Sequence, residues 1–494
     1  MDRRVKKALL PVPPAFTFKD RLDTNPLPPL GLGYLGAVLE KVDVEVKIVD
    51  CLMEGWGNRV DLGDNVIRVG LSFEQIEGII EDYGPDIVGV NMLFTKQRDN
   101  GHRIFESAKR IDKSIITIAG GAHATALPES VLADANVDFV VLGEGEDTMI
   151  DLVSVIEGRR DAASLDGVGF KSNGQPIVIP KTQFIADLDA LPFPARHLLS
   201  MEGYFGLRDS HGTRMKRRFS PIITSRGCPA KCTFCSAHMV WGRKFRQRSP
   251  ENVIAEMKHI KEKYGIEEIM FEDDNVTLNV KRAERIFDLM IEEKLDLVWD
   301  TPNGVAAFAL TESLVDKMKD SGCYCLNLAL ESGNQYVLDN VIKKPLKLER
   351  ARELVRYAQS IRLQVGIFLI VGVPGETREQ IWDSFRLAKE LGIYSPFISV
   401  ATPYPGSALY DSCREKGYIP DDFSLDDLYI RSFSISTENW TGEELRQVLK
   451  QGQKFLLRAR MRRHPFEFLR IVWGAFLAEP RSFFRKALTF AANR

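Results

Sequence analysis

The sequence predicts an α/β protein with a doubly wound parallel sheet at its N-terminus, a partial (βα)6 barrel after it and a helical C-terminal tail. Short runs rich in Val and Ile alternate with amphipathic segments over residues 5–155, and the alternation resumes at Phe219. A chain of 494 residues is also too long for one compact core. The predicted boundaries are 1–155 for a Rossmann-type domain, 156–218 for a linker, 219–415 for the barrel and 416–494 for a helical region with a basic, aromatic tail.

The first domain contains five apolar runs that we interpret as buried strands: Val5–Leu10, Val44–Val49, Asp86–Leu93, Ile115–Ile118 and Val137–Leu142. Amphipathic segments, among them Gly33–Lys41, Phe73–Tyr83 and Gly101–Ile111, lie between them. Strand–helix alternation at this spacing predicts a parallel sheet. Ligands of such sheets bind beyond the carboxyl ends of the strands.

The second domain follows a region in which the alternation stops. Lys171–Gln175 is a turn signal between two apolar runs, and Leu191–Leu199 is a connector interrupted by prolines. Six strand–helix units come next, with strands predicted at Pro221–Thr224, Glu268–Glu272, Leu297–Thr301, Leu326–Glu331, Gln364–Val371 and Phe397–Thr402. Six units predict an open, incomplete barrel whose chemistry takes place at the carboxyl ends of its strands.

Composition narrows the class of protein. Hydrophobic residues make up 44% and charged residues 27% of the chain, which is ordinary for a globular protein. A net charge of -2 gives no overall field that would attract nucleic acid, so we expect no nucleic-acid partner. Seven cysteines in a chain of this length do not suggest a secreted disulfide scaffold. No apolar run approaches the ~20 residues that cross a bilayer, so we expect a cytoplasmic protein.

Cys228, Cys232 and Cys235 form a Cx3Cx2C pattern directly after the first barrel strand. A structural zinc or a closed [4Fe–4S] cluster normally takes four protein ligands. Three thiols in one loop would leave one iron of a [4Fe–4S] cluster open, and an open metal position is what catalysis requires. The alternative is a zinc site completed by His238.

This pattern in its context resembles the radical S-adenosylmethionine (SAM) superfamily over residues 219–415. The resemblance implies that the open iron binds SAM and that an electron from the cluster, supplied by a reductant such as flavodoxin or ferredoxin, splits the sulfonium bond. It also implies SAM contacts at Phe234, Asp273, Asp274, Asn303, Glu331 and Ser332. The motif around Asp273 and Asp274, Glu272–Asn275, is rich in aspartate and lacks the glycine–glutamate pair usual in the family. Taken singly, Phe234 could be core packing and Glu331 a helix cap.

The N-terminal domain resembles the cobalamin-binding domain of many radical SAM enzymes. The matching positions follow the third, fourth and fifth strands: Asn91, Thr95, Gly120, Gly121, His123, Gly143, Glu144, Gly145 and Glu146. Glycines there let backbone amides approach a large ligand. The Asp-x-His-x-x-Gly signature is missing, so the resemblance implies a cobalt without a histidine ligand. One alternative is that His123 is a loop histidine whose hydrogen bonds are made within the protein. The other is that the sheet binds no cobalamin and only shapes the substrate pocket.

Together the two halves resemble the class B radical SAM methyltransferases and the anaerobic magnesium-protoporphyrin ester cyclase. The resemblance implies a cobalamin-dependent methyltransferase, in which a 5′-deoxyadenosyl radical removes hydrogen from an unactivated carbon and methylcobalamin supplies the methyl group. The alternatives are oxidative cyclisation or other carbon-skeleton chemistry, and a cobalamin or redox sensor without catalysis. The sequence identifies neither the small-molecule substrate nor a catalytic side chain.

The C-terminal tail is strongly basic. From Arg458 to Arg494 there are nine Lys or Arg residues and two acids, a net +7, interleaved with Phe, Leu and Trp. This composition is typical of a helix that lies in an anionic membrane surface. It predicts peripheral contact with the inner face of the membrane and favours a lipid or other hydrophobic substrate. The alternative is a helix packed on the barrel with solvated arginines.

Overall fold

A computed structural model of the protein describes residues 4–19, 24–207, 214–428 and 433–466. The strands of the N-terminal part are β1 Lys7–Val12, β2 Ala15–Phe18, β3 Glu45–Asp50, β4 Arg59–Gly63, β5 Val66–Val69, β6 Ile87–Asn91, β7 Ile116–Gly120, β8 Phe139–Val141, β9 Val168–Ser172 and β10 Gln175–Ile179. Its helices are α1 Leu30–Glu40, α2 Cys51–Glu54, α3 Phe73–Tyr83, α4 Arg98–Ile111, α5 Ala122–Ala126, α6 Pro128–Leu132 and α7 Glu146–Ile156.

The main N-terminal sheet has the order β10-β9-β8-β7-β6-β1-β3. The strands β3, β1, β6, β7 and β8 are parallel, which confirms the predicted sheet. The chain runs outward from β1 to β3 and then returns to β6 on the other side of β1. The winding direction therefore reverses between β1 and β6, and the crevice beyond their carboxyl ends is where such folds bind ligands.

The helix α3 shows why the local sequence specifies these elements. Ser72 and Gln75 form a reciprocal capping box at its start, and Gly84 ends it in the left-handed conformation with φ of 58°. Phe73, Ile76 and Ile80 are its buried residues, at the spacing of one helical face.

Two parts of the N-terminal architecture differ from the prediction. The strands β9 and β10 form an antiparallel hairpin on β8, so the sheet continues to Ile179, past residue 155. The strands β2, β5 and β4 form a small antiparallel sheet that the sequence did not predict. All five residues of β4 are exposed, so this strand has no buried apolar pattern to detect.

The second part begins with α8 Met201–Gly206. Its strands are β11 Phe219–Ile222, β12 Ser225–Arg226, β13 Arg246–Gln247, β14 Glu268–Phe271, β15 Val298–Asp300, β16 Cys325–Glu331, β17 Gln364–Val371 and β18 Phe397–Val400. Its helices are α9 Ala237–Trp241, α10 Pro250–Tyr264, α11 Val280–Glu292, α12 Glu312–Asp320, α13 Leu348–Ser360, α14 Arg378–Glu390, α15 Ala408–Glu415 and α16 Gly442–Arg463, and Val337–Ile342 forms a π-helix.

Six parallel strands form the partial barrel, as predicted. β11, β14 and β15 make one curved half, and β16, β17 and β18 make the other. Isolated parallel bridges, Trp299 to Cys323 and Val305 to Leu328, join the halves. Trp299 is fully buried between Phe287, which stacks on it at 4.8 Å, and Phe271, which meets it edge-on at 5.1 Å.

One continuous hydrophobic core spans both parts of the chain. Leu10 and Ile48 of the sheet belong to the same buried cluster as Phe205, Phe219 and Trp299. The sheet and the barrel therefore pack as one body, which fixes how their carboxyl edges face each other.

The helix α16 begins with a capping box of Thr441 and Glu444, and it packs on α14. The predicted membrane tail begins at Arg458, within α16, and its residues 467–494 lie outside the described residues. Among the residues that the structure does describe, no helix combines the length and the apolar character needed to span a membrane.

Candidate active site

The cluster loop, which we define as residues 227–236, follows β12 at the carboxyl end of the first barrel strand. Cys228, Cys232 and Cys235 are free and half-buried in it. Gly227 opens the loop with φ of +85°, and a Cβ there would lie 2.4 Å from the carbonyl oxygen of Lys244. Only glycine allows the backbone this turn and this close approach.

Thr233 fixes the loop between two of its cysteines. Its amide donates to the carbonyl oxygen of Ile342 at 3.0 Å, and its hydroxyl donates to that of Val341 at 3.1 Å. The amide of Leu409 donates to the carbonyl oxygen of Thr233 at 2.8 Å. The end of the π-helix and the start of α15 therefore hold the cysteines from both sides.

Burial dominates the electrostatics of the three thiols. It raises the pKa of all three, and that of Cys232 to about 11, while the ammonium of Lys344 opposes the rise at Cys228 and Cys232. A metal that binds such thiols favours their deprotonation, because the thiolate is the form that ligates it. Three such thiols in one loop fit a [4Fe–4S] cluster bound by three cysteines.

In the described part of the chain, no three His, Cys, Asp or Glu side chains converge as the ligands of a single ion do. A cubane does not need this convergence, because each thiolate binds a different iron. His238, the fourth ligand in the zinc alternative, has its pKa lowered by burial and by the charge of Arg243.

Asp274 lies beside the cluster loop. Its charge acts on the thiols of Cys228 and Cys235, and one oxygen, Oδ2, is buried without a hydrogen-bond partner among the described residues. Burial, and then the charge of Asp273, raises the pKa of Asp274 to about 6. A buried carboxylate that lacks a partner suits a cationic group such as the amino group of SAM.

Asp273, the neighbour of Asp274, has its hydrogen-bond partners within the protein. It is buried, and it accepts hydrogen bonds from the amide of Thr224 at 3.1 Å, the hydroxyl of Thr224 at 2.8 Å and the hydroxyl of Ser225. Its side chain therefore joins the end of β14 to the segment before the cluster loop. Of the two aspartates, only Asp274 has a buried oxygen without a hydrogen-bond partner among the described residues.

Glu331 ends β16 with φ of +67°, a left-handed conformation that is unusual for a residue with a side chain. Its carboxylate is buried and accepts a hydrogen bond from the ammonium of Lys344 at 2.9 Å. Ser332 is fully buried, and its hydroxyl accepts from the amide of Asn334 at 3.2 Å. The charge of Glu331 acts on the thiols of Cys232 and Cys235 in the cluster loop.

The other two predicted SAM residues lie on the same side of the barrel. Asn303 is exposed after β15, and its amide donates to the side chain of Glu272 at 3.0 Å. Phe234 is half-buried and packs against the main core.

At the carboxyl edge of the N-terminal sheet, Asn91 ends β6 and Gly120 ends β7. A Cβ on Gly120 would meet no described heavy atom within 4 Å, so the space in front of it is open. Gly121 differs, because its φ is +98° and a Cβ there would lie 2.7 Å from Oδ1 of Asn91. Gly120 is therefore the glycine that leaves room for a ligand, and Gly121 is required by the fold.

His123 is a buried histidine with its own partner. Its Nδ1 lies 3.2 Å from the hydroxyl of Thr95, and burial and the nearby Arg98 lower its pKa to about 4. It is therefore neutral at pH 7, which agrees with the alternative that its hydrogen bonds are made within the protein.

The segment Gly143–Glu146 follows β8, and its carboxylates contact the barrel. Glu144 accepts hydrogen bonds from Arg226 at 3.0 Å and from Arg246 at 2.7 Å, and Glu146 accepts from Arg226 at 2.6 Å. The two glutamates were predicted as cobalamin contacts. Their side chains are instead bound between the two parts of the molecule.

Sequence reasoning missed Lys344 and Arg226. Lys344 lies in an Ile-Lys-Lys-Pro stretch that is typical of a solvated turn, and only the packing of the π-helix shows that it is buried. Arg226 stands two residues before Cys228, which was the available signal, but its partners are about 80 residues away along the chain.

Two protein families match this chain. Residues 24–153 match the B12 binding domain, and residues 222–388 match the radical SAM superfamily. The cytidylyl-2-hydroxyethylphosphonate methyltransferase of Streptomyces wedmorensis is 35% identical over 477 residues, which cover 90% of this chain and 89% of the relative. An uncharacterized methyltransferase of Pyrococcus horikoshii is 33% identical over 409 residues, which cover 83% of each chain.

A solved structure has the same fold. The radical SAM methyltransferase TsrM from Kitasatospora setae, with cobalamin and a [4Fe–4S] cluster bound, superposes with a TM-score of 0.66 at 17% identity over 83% of this chain and 78% of that one. The two matching domains and the close relatives establish the family. This chain belongs to the cobalamin-dependent radical SAM enzymes, and its cofactors are a [4Fe–4S] cluster, SAM and cobalamin.

Proposed function

We propose that this enzyme methylates an unactivated carbon of a small molecule. The observation that carries the proposal is a contact between the carboxyl edge of the sheet, which would hold cobalamin, and the edge of the barrel that carries the cluster loop. Helix α5, which follows β7 of the sheet, packs on α9, which directly follows the cluster loop. A Cβ on Gly143 would lie 3.2 Å from the carbonyl oxygen of Val240 in α9. A substrate held between these edges would reach both cofactors.

When bound, the cluster and SAM supply a 5′-deoxyadenosyl radical that removes hydrogen, and cobalamin supplies the methyl group. Cys228, Cys232 and Cys235 would hold the cluster. Asp274 would bind the amino group of SAM through its unpartnered oxygen, and the Glu331–Lys344 pair would orient the adjacent part of SAM.

The remaining SAM and cobalamin positions belong to the same proposal. Phe234, Asn303 and Ser332 would contact SAM at the carboxyl ends of the barrel strands. Asn91, Thr95, Gly120, His123 and the backbone of Gly143–Glu146 would line the cobalamin site at the carboxyl edge of the sheet. None of these side chains would ligate cobalt, since His123 is already paired with Thr95.

The relatives suggest where to look for a substrate. The relative from Streptomyces wedmorensis is named for methylation of cytidylyl-2-hydroxyethylphosphonate, and this chain matches it over most of its length. We therefore propose a small polar substrate of this type as the first candidate. A lipid or other hydrophobic substrate remains the second proposal, and the basic, aromatic tail supports it through contact with an anionic membrane surface.

The test is anaerobic reconstitution with iron, sulfide and cobalamin, followed by reduction in the presence of SAM and the candidate substrate. We expect 5′-deoxyadenosine, S-adenosylhomocysteine and a product heavier by CH2. Loss of hydrogen without that gain in mass would establish cyclisation or another oxidation instead. Failure to form 5′-deoxyadenosine in the reduced, fully loaded protein would favour a sensor. Flavodoxin or ferredoxin should replace the chemical reductant.

A further inference from the structure

Arg226 joins the cobalamin edge of the sheet to the cluster loop. One terminal nitrogen of its guanidinium donates to Glu144 at 3.0 Å, and the other donates to Glu146 at 2.6 Å. Arg226 lies on β12 of the barrel, whereas both glutamates follow β8 of the sheet. One side chain thus binds two carboxylates of the opposite domain at the same time.

The bridge is buried and rigid. The side chains of Arg226, Glu144 and Glu146 are 2%, 0% and 6% exposed. The guanidinium lies 5.1 Å from the ring centre of Tyr34 in the sheet domain and 4.8 Å from that of Trp241 in α9. A planar guanidinium held by two carboxylates and two aromatic rings has a defined orientation, which a lysine ammonium could not reproduce.

Both ends of the bridge are adjacent to cofactor positions. Only Gly227 separates Arg226 from Cys228, and this glycine is closely packed, because a Cβ there would lie 2.4 Å from the carbonyl oxygen of Lys244. On the other side, Glu144 and Glu146 flank Gly145 at the carboxyl end of β8, where the sheet binds its ligand. A shift of Arg226 would therefore move the cluster loop relative to the cobalamin edge.

We infer that Arg226 is a positioning residue that fixes the cluster loop against the cobalamin edge through Glu144 and Glu146. Its effect is specific to the step that needs both cofactors. Cleavage of SAM requires only the cluster and the SAM pocket. Transfer of the methyl group also requires that the substrate radical and cobalamin lie at the correct distance from each other. The second requirement rests on the proposed methyl transfer. Small displacements of reacting groups cost about a hundredfold in rate.

The experiment uses the fully loaded enzyme and the variants Arg226→Lys and Glu146→Gln, which break the bridge from opposite domains. Arg248→Lys is the matched control, because Arg248 is also buried in an ion pair, with Glu256, but both partners lie within the barrel. Iron and cobalamin content are measured first. The second measurement is the ratio of methylated product to 5′-deoxyadenosine in each protein.

A third measurement needs no turnover. With the cluster and the cobalamin both reduced to paramagnetic states, the relaxation of the Co(II) signal in electron paramagnetic resonance depends steeply on the distance between the two spins. It reports the relative placement of the cofactors directly, and a loss of overall stability at constant loading does not change it.

We expect both bridge variants to keep their iron and cobalamin and to cleave SAM within about twofold of the parent. Their product ratio should fall at least tenfold, and the Co(II) relaxation should change, while Arg248→Lys matches the parent in both. The inference would be overturned if Arg226→Lys and Glu146→Gln had the same product ratio and the same Co(II) relaxation as the parent. So would loss of both cofactors to the same extent in all three variants. If the parent itself makes no methylated product, the proposed function fails, and the relaxation measurement still decides the role of Arg226.

Discussion

At the scale of single residues, the side chains around the cluster divide into those that the fold has already used and those that it leaves open for a ligand. Asp273 and Asp274 are neighbours in the sequence, yet one is saturated by Thr224 and Ser225 and the other keeps an unpartnered oxygen among the described residues. Burial without a partner is costly, so it persists where a ligand supplies the partner.

The cysteines provide the first prediction. Cys228→Ala, Cys232→Ala or Cys235→Ala should each abolish SAM cleavage, because two thiolates do not hold a cubane with a defined open iron. Formation of 5′-deoxyadenosine measures this loss.

The control is Cys413→Ala, which changes a buried thiol outside the cluster loop. It should leave iron content unchanged, and the same holds for changes at the other buried thiols, Cys51, Cys323 and Cys325. A protein with all three loop cysteines replaced that still bound four irons would contradict the assignment.

The aspartate pair provides the second prediction. Asp274→Asn should weaken SAM binding about tenfold or more, because a charge-assisted hydrogen bond to the amino group is lost, at roughly 1.5–3 kcal/mol. Asp273→Asn should instead lower the free energy of unfolding by ~1–3 kcal/mol, since its bonds to Thr224 and Ser225 are disturbed. Equilibrium dialysis with SAM and denaturant unfolding separate the two effects. Equal SAM affinities in the two variants would refute this division of roles.

At the scale of elements, the turns that follow strands determine where ligands fit. Gly120 and Gly121 both looked like glycines that admit a ligand, but only Gly120 has open space before it. Gly120→Val should therefore fold normally and lose most cobalamin loading, because the new side chain would occupy ligand space. Gly121→Val should destabilise the protein itself, since its Cβ would clash with Asn91 and its φ is positive.

Cobalt content per chain and thermal unfolding distinguish the two glycine variants. Normal cobalamin loading in a folded Gly120→Val protein would mean that the ligand lies elsewhere. It would then favour the alternative in which the sheet binds no cobalamin.

Glu376, in the turn after β17, provides a prediction about pH. It is fully buried, and burial raises its pKa to about 8, although the amides of Gly372 and Val373 donate to it. The folded protein keeps a proton on Glu376 that the unfolded chain has lost above pH 4.5. Its contribution to stability is therefore complete below about pH 4.5 and is lost as the pH rises to about 8.

Glu376→Gln removes this titration. The free energy of unfolding of the parent, relative to the variant, should fall between pH 5 and pH 8, by at most about 1.4 kcal/mol per pH unit. Denaturant unfolding across that range measures it. A pH-independent difference would show that Glu376 is ionised in the folded protein.

How much the sequence could predict varies with the range of the interactions. The bounds of α3 were correct because its cap, its apolar face and its terminal glycine are all local signals. The strands of the sheet and the barrel were located for the same reason. The exposed strand β4 and the hairpin of β9 and β10 had no comparable signal, because their partners are other strands rather than a periodic apolar face.

In the candidate active site, too, local features could be predicted from the sequence and long-range contacts could not. The three cysteines could be predicted because their spacing is local, but the orientation of Asp273 depends on Thr224, 49 residues away. The carboxylates of Glu144 and Glu146 were taken as cobalamin contacts, since nothing near them in the sequence indicates Arg226. Contacts of this range are decided by how the two parts pack.

At the scale of the whole molecule, the sheet and the barrel share one hydrophobic core, so packing sets how the carboxyl ends of their strands lie relative to each other. The C-terminal helix α16 packs on this core, because Leu445, Leu449 and Leu456 are buried and Arg460 donates to Ser395 at 3.2 Å. The basic residues that follow it, from Arg470 to Arg494, lie outside the described residues. The last prediction concerns these residues.

The tail should bind anionic membranes. Full-length protein should sediment with vesicles containing anionic lipid at low salt and be released at high salt, while a form that ends at His464, after the last residue of α16, should stay in solution. The variant Arg481→Gln/Arg485→Gln/Lys486→Gln keeps the aromatic residues and removes three charges. At ~1 kcal/mol for each basic residue, its vesicle affinity should fall about a hundredfold. Vesicles of neutral lipid control for hydrophobic adsorption. Equal sedimentation of all three proteins would show that the tail does not bind the membrane.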